Sequence, residues 1–506
     1  MGYFLFFSVE TWILLITFIC IFVIYGNWTH GVFENLGIPG PKPYTYWGTV
    51  GRHSKVYYED DQQCAKKYGK VWGMYEFRSP MLAVMDPDML KTILVKECFT
   101  YFTNRRVRRT HWIKVNIRLN GDLYDSVSTV EDDHWRRIRN VLTPSFTSGH
   151  IKEMFRIMKH LSSKLTASLE SKAQNNEVVT IKDHFGAYSV DVMASCAFGV
   201  DMDLINNPSS PIVFHASRFF KIPQFVIILQ GFFPLLIPLF ELLGFSFFSP
   251  TSTAFFKTIL AKIKAEREGS SCKNSGDLLQ SMINSKTAND PSKGEQNKGL
   301  TDHEILTQAT MFMVAGYETS ATTLAFLAYN LARNPKVMKR LQEEIDATFP
   351  EKGAVRYEEL VQMEYLDSVV NESLRLYPPA GRLDRVAKET VEIRGITIPK
   401  DMIVVIPVYA LHRDPDLWPE PEEFRPERFS AQNKRSINPY TYLPFGMGPR
   451  NCLGMRFALV LVKLALVEVL QHYSFSVCAE TEIPLTMEPA GLIGPLKPIK
   501  LKVTTR

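Results

Sequence analysis

The segment Phe445-Gly446-Met447-Gly448-Pro449-Arg450-Asn451-Cys452-Leu453-Gly454 sets one cysteine on a glycine-rich loop, directly before residues 455–470, where apolar side chains recur at helical spacing. Any fold that accommodates it must hold this sulfur near a helix N-terminus, whose partial positive charge favours an anion. Glycines let backbone N–H groups approach without side-chain obstruction, and a thiolate needs such donors to hold its charge. A metal thiolate is therefore the expected chemistry. A lone cysteine in a long chain is more often a small buried hydrophobe, but that role needs neither an open backbone nor the cation of Arg450 beside it. A dinucleotide turn fails as well. The third glycine of a Gly-x-Gly-x-x-Gly pattern falls on Asn451, and Arg450 would crowd a pyrophosphate.

Residues 3–25 are almost wholly apolar, interrupted by Ser8, Glu10 and Thr17 among few others, and are just long enough to cross a bilayer. A membrane anchor is expected over residues 1–25. A cleaved signal peptide fits less well, because no Lys or Arg precedes the apolar run and no small-x-small site follows it. Lys42, Arg52 and Lys55 lie on the C-terminal side, which places the main domain in the cytosol. With 506 residues, 45% of them apolar, the remainder can bury one large core, and no linker forces a split. The expected organisation is an anchor (1–25), a proline-rich hinge (26–43) and one catalytic domain (44–506). A net charge of +5 is too small for this length to imply nucleic acid. The basic run Arg105-Arg106-Val107-Arg108-Arg109 has no aromatic stacking array beside it and reads as a solvated loop. Seven scattered cysteines without a Cys-x-x-Cys pair argue against zinc or a disulfide framework and for a reducing compartment.

Along the chain, Gly37-Ile38-Pro39-Gly40-Pro41-Lys42-Pro43 predicts a stiff, non-helical spacer. Residues 71–85 read as two strands joined through Ser79-Pro80. Helices are expected over 86–95, 131–142, 150–171, 183–198, 255–268, 335–349 and 357–377. Thr301-Asp302-His303-Glu304 is a capping box that opens a long helix to about Arg333. Residues 391–398 and 402–408 look like single strands of a small sheet. Residues 214–248 are rich in phenylalanine but broken by Pro223, Pro234 and Pro238, so they cannot span a membrane as one helix. Short helices roofing an apolar cavity and dipping into the membrane are expected there. Residues 270–299 are polar and read as a surface loop.

Two further patterns carry chemistry. Glu372 and Arg375 sit one helical turn apart on one face and can pair, with Pro378-Pro379 ending the helix after them. Inside the long helix, Ala315-Gly316-Tyr317-Glu318-Thr319 places a costly glycine beside a threonine. Close approach of a flat ligand is one reason for Gly316. The Thr319 hydroxyl can return to the Ala315 carbonyl, loosening the helix and opening a slot for dioxygen, while Glu318 is a candidate to relay protons from solvent.

The pattern Phe445-x-x-Gly448-x-Arg450-x-Cys452-x-Gly454 resembles the haem-binding loop of cytochrome P450. The likeness extends over nearly the whole chain, through Leu36-Gly37-Ile38-Pro39-Gly40-Pro41, Phe102-Thr103-Asn104-Arg105-Arg106, Phe198-Gly199-Val200 and Ala410-Leu411-His412-Arg413-Asp414-Pro415. These segments look like the vertebrate 3A subfamily, which oxidises drugs and steroids. The resemblance implies a mainly α fold with small β-sheets, preceded by one transmembrane helix, and a haem-thiolate monooxygenase. It implies haem b with Cys452 as the metal ligand and Thr319 and Glu318 as catalytic residues. Cofactor-binding residues would be Phe445, Arg450, Ala315, Arg105 and Arg385, together with Trp135 and Arg139 from a Trp-x-x-x-Arg helix, the arginines suiting two propionates. Arg428 would join Glu372 and Arg375 in a structural trio. Phe312, Val314, Ala315, Thr319, Ala380, Arg382 and Leu383 are expected around the cavity.

No flavin or nicotinamide fingerprint is present, so electrons would come from NADPH-cytochrome P450 reductase, with cytochrome b5 as a further partner, at the endoplasmic reticulum membrane. A haem-thiolate isomerase or dehydratase acting on peroxides is the rival enzyme, disfavoured by the intact Glu318-Thr319 pair. A non-enzymatic haem-binding protein would need no proton relay. Two departures bear on substrate and turn geometry. Residues 107–120 are charged where relatives carry an apolar loop, and Asp401 replaces a familiar turn glycine.

Overall fold

The computed structural model describes residues 9–106, 120–207, 209–220, 228, 231–233, 236–269, 276–286 and 299–506. Most of the 107–120 segment, Pro223 and Pro234 of the apolar roof, and much of the polar 270–299 loop lie outside these residues. Among the described residues helices dominate and three small sheets form, in line with the expected mainly α fold with small β-sheets.

The long helix Asp302–Arg333 runs through the centre, and almost every residue from Ser320 to Ala332 is buried. Its first turn is the expected capping box: Thr301 Oγ1 accepts from the Glu304 N–H, and the Glu304 carboxylate accepts from the Thr301 N–H at 2.8 Å. Helices Ser148–Ser168, Ile181–Phe198 and Met455–His472 join it in one core. Ile181–Phe198 is buried on all faces, which explains its lack of a polar stripe.

A second core surrounds a four-stranded sheet ordered Val71–Glu76, Ser79–Val84, Ile403–Ile406, Leu383–Val386. The outer pairs are antiparallel and the central pair parallel. The first hairpin turns at Phe77 and Arg78, not at Ser79-Pro80, because Pro80 already pairs with Tyr75 inside the second strand. The single strand expected over 391–398 is a hairpin, Val391–Ile393 and Ile396–Ile398. Arg394 and Gly395 both take positive φ, at 53° and 77°, as a tight two-residue turn requires, and Gly395 is the local signal of this break between the two β-branched stretches. The helix expected over 357–377 divides into Tyr357–Leu360 and Glu364–Leu376. Asp401 does occupy a left-handed turn, with φ 63°, where a glycine would be unstrained.

At the N-terminus, the helix Val9–Asn27 is long and apolar enough to cross a membrane, and its side chains are almost all exposed. Its end is tied down: Tyr46 donates to the Phe22 carbonyl at 2.6 Å and stacks on the Phe22 ring. The proline-rich segment is no free spacer. The Gly73 N–H donates to the Pro39 carbonyl at 2.8 Å, and Phe33 is buried against Gly73, where any Cβ would fall 2.2 Å from its ring.

Candidate active site

The cysteine loop is built by two backbone reversals and a buried brace. Gly446 and Gly448 hold φ of 71° and 75°, and the Cys452 N–H closes the loop on the Phe445 carbonyl at 2.8 Å. Gly448 has a second reason to be glycine. A Cβ there would lie 1.9 Å from the carbonyl oxygen of Leu94, so its bareness serves close backbone packing rather than only access to sulfur. Gly454 then leads into the helix Met455–His472.

Beneath the loop, Arg375 and Glu372 are fully buried and paired through two hydrogen bonds of 2.7 and 2.8 Å. Arg375 also donates to the carbonyls of His412 and Pro421, and Arg428 reaches Glu372 at 3.3 Å. The trio is thus a buried strut. His412 carries it to the loop: its Nε2 accepts the Leu443 N–H at 2.8 Å while its Nδ1 faces the Arg375 carbonyl at 3.1 Å. Burial, then the Arg375 charge, hold His412 down at about 3, so the imidazole is neutral and can accept that bond. The sequence marks His412 only as part of a family segment. Its role depends on two helix ends and a loop that meet in space.

Around the sulfur, protein packing pushes the Cys452 thiol pKa up, opposed by a backbone hydrogen bond at Gly454 and by positive charge at Arg105 and Arg139. The residue nevertheless remains exposed. Arg139 donates to both the Asn451 carbonyl and the Asn451 side chain, at 2.9 and 3.0 Å. It therefore braces the cysteine's neighbour, a partner the sequence analysis misses. Trp135 is buried, with the Arg450 guanidinium 4.4 Å over its ring.

Arg105, Arg385 and Arg450 converge. Arg105 donates to the Arg450 carbonyl at 3.0 Å, and Arg450 donates to the Val130 carbonyl at 2.7 Å. Burial, then repulsion from Arg105, lower Arg385 to about 10; the same causes, with Arg385 added, lower Arg450 to about 9. Among the described residues, the buried Nε of Arg385 and the Nε and Nη1 of Arg450 have no hydrogen-bond partner. Unpaired buried donors are costly, and a cluster of three like charges calls for anions. Two carboxylates beside a cysteine sulfur are what a haem would present, so the donor set fits that group.

On the opposite wall, Thr319 Oγ1 donates to the Ala315 carbonyl at 2.8 Å, as expected. Thr319 and Phe445 line one small apolar cavity together with Pro379 and Ala458. Other expectations are redirected. Gly316 faces the helix Ile181–Phe198, where the flexible tip of Met193 would lie 2.6 Å from an added Cβ. Glu318 is ion-paired with Lys182 and accepts from Thr322 at 3.3 Å. Its neighbour Thr319 lies about 100° away around the helix. Arg382, expected at the cavity, instead grips Asp61 through two hydrogen bonds of 2.6 Å. Val314 is sealed in the core, while Phe312, Ala315, Ala380 and Leu383 stay half-buried.

The family model described as Cytochrome P450 matches residues 38–503. The chain is 55% identical to cytochrome P450 3A40 of Oryzias latipes, over 100% of this chain and 99% of that protein. It is 54% identical to cytochrome P450 3A30 of Fundulus heteroclitus over the full length of both, and 49% identical to cytochrome P450 3A29 of Sus scrofa over 99% and 97%. The family implies a bound haem with a thiolate ligand, a substrate, dioxygen and a reductase partner. With the fold, the cysteine loop and these relatives agreeing, the chain belongs to the cytochrome P450 family, subfamily 3A, and is a haem-thiolate monooxygenase.

Proposed function

We propose that the Cys452 thiolate would hold the iron of haem b and that Arg105, Arg385 and Arg450, with Trp135 beside them, would receive its two propionates. The unpartnered buried guanidinium donors next to the cysteine loop carry this reading. When bound, the haem activates dioxygen, so that one oxygen atom enters the substrate and the other leaves as water. The chain supplies the rest. Phe445 and Gly448 shape the sulfur loop, and Arg139 fixes Asn451 beside it. Ala315 and Thr319 form the helix wall facing the reaction. The Thr319 hydroxyl holds a proton at Oγ1, and Glu318 delivers protons from solvent after leaving Lys182.

Substrates are lipophilic, with steroids, drugs and other xenobiotics as the class. Electrons come from NADPH-cytochrome P450 reductase, with cytochrome b5 as an accessory donor. Residues 1–25 anchor the protein in the endoplasmic reticulum membrane, 26–43 set its attitude, and 44–506 form the catalytic domain in the cytosol. The exposed apolar side chains of the roof, including Leu239, Leu242 and Leu243, support contact with lipid beside the anchor. Reconstitution with purified reductase in lipid vesicles tests the reading. NADPH-dependent hydroxylation of steroids or lipophilic drugs is expected, and product formed only from added hydroperoxide would reject it.

A further inference from the structure

The helix Asp132–Leu142 has two faces with different tasks. Trp135 and Arg139 turn toward the cysteine loop, through the Arg450 guanidinium and Asn451. His134 and Arg137 lie roughly 150° away around the helix axis, given 3.6 residues per turn. Both meet one carboxylate, Glu304, which is almost fully buried. His134 Nε2 stands 2.8 Å from Glu304 Oε1; Arg137 Nη1 donates to Oε2 at 3.1 Å, and Arg137 Nη2 pairs with Oε1. Glu304 Oε2 also accepts the Thr301 N–H at 2.8 Å, the bond that completes the cap of the long helix. Every lone-pair direction of this carboxylate is engaged, and these bonds with Arg137 hold Glu304 far below the usual carboxylate range against the opposing effect of burial.

We infer that Glu304 is a positioning residue for the haem site: one buried carboxylate fixes the start of the long helix and, through Arg137 and His134, the back of the helix that presents Trp135 and Arg139 to the cysteine loop. Capping alone needs only the Thr301 contact, and a charged acceptor buried for that purpose would not need a bidentate guanidinium from another helix. The second pair locks the rotation of Asp132–Leu142 about its own axis. Releasing it lets Arg139 draw away from Asn451, which adjoins Cys452. The inference rests on the proposed placement of haem between the arginines and Cys452.

Separate variants distinguish the cap from the lock. Thr301→Ala removes the hydroxyl half of the cap and leaves Arg137 paired; Arg137→Gln removes the guanidinium pair and leaves both capping bonds and the His134 contact in place. In the full-length holoprotein, haem loss to excess apomyoglobin and the ferrous carbon monoxide spectrum are measured beside urea resistance. Arg137→Gln and Glu304→Gln are expected to speed haem transfer by about tenfold or more, the usual scale for groups that orient ligands indirectly, and to lose the thiolate band sooner. Arg137→Lys restores part of the effect. Thr301→Ala lowers urea resistance with an unchanged transfer rate. If Arg137→Gln only lowers urea resistance and leaves haem transfer unaltered, Glu304 is a structural cap and the inference falls. Failure of the unaltered protein to show any thiolate band would instead remove the haem placement itself.

Discussion

Replacing Gly448 by alanine tests the loop most sharply, because Gly446 supplies an internal control. Both glycines have positive φ, and an L-residue in that region costs roughly 1–2 kcal/mol. The surroundings differ. A Cβ at Gly446 would find its nearest atoms at 3.7 Å, an ordinary contact. At Gly448 it would lie 1.9 Å from the Leu94 carbonyl oxygen and 2.9 Å from its carbon, whereas close carbon–oxygen contacts sit at about 3.3 Å. The loop and the Thr92–Lys96 turn must therefore part by about 1.4 Å, with backbone on both sides and no flexible side chain to yield. Overpacking of this kind adds about 1–3 kcal/mol. Gly446→Ala should thus cost roughly 1–2 kcal/mol, and Gly448→Ala about 2–5 kcal/mol, a large share of a typical stability. The assay is urea titration of the ferrous carbon monoxide complex, followed at its thiolate band. Equal midpoints for the two variants would refute the steric reasoning, since the backbone penalty alone would then account for both.

Glu372→Gln leaves the buried Arg375 without its counter-charge and should cost about 3–5 kcal/mol, whereas Glu427→Gln, which breaks the exposed pair with Arg340, should cost less than about 1 kcal/mol; urea midpoints in the reverse order would contradict the strut. His412 has its folded pKa depressed to about 3 from 6.5, so protonation favours the unfolded chain. Stability should fall as pH drops below 6.5 toward 3, by at most about 1.4 kcal/mol per pH unit from this group, and His412→Asn should flatten that slope. Thr319→Ala should keep the thiolate spectrum and release more peroxide per NADPH consumed; unchanged coupling would remove Thr319 from proton handling.

What could be read before folding was whatever the chain writes within a few residues. The capping box Thr301–Glu304, the Thr319 bond to Ala315, the Glu372–Arg375 pair and the apolar Val9–Asn27 helix are all contacts or patterns inside one turn or one run. Turns hidden in apolar sequence were harder. The Arg394-Gly395 reversal has only its glycine as a turn signal, between two short stretches rich in β-branched residues. Residue types at the site were legible, but their partners were not.

Cys452, its glycine loop and a supply of arginines were legible in the sequence, because the proposed thiolate ligand and two propionates would demand particular side chains whatever the path of the chain. Tertiary structure decided which of those charges remain available. Arg382 is taken by Asp61, 321 residues away, Glu318 by Lys182 across 136 residues, and Arg139 by Asn451 across 312, while Arg385 and Arg450 keep donors unpartnered among the described residues. Gly448 likewise owes its bareness to the backbone of Leu94. Local periodicity sets which face a side chain occupies, but only the packing of distant elements determines what that face meets.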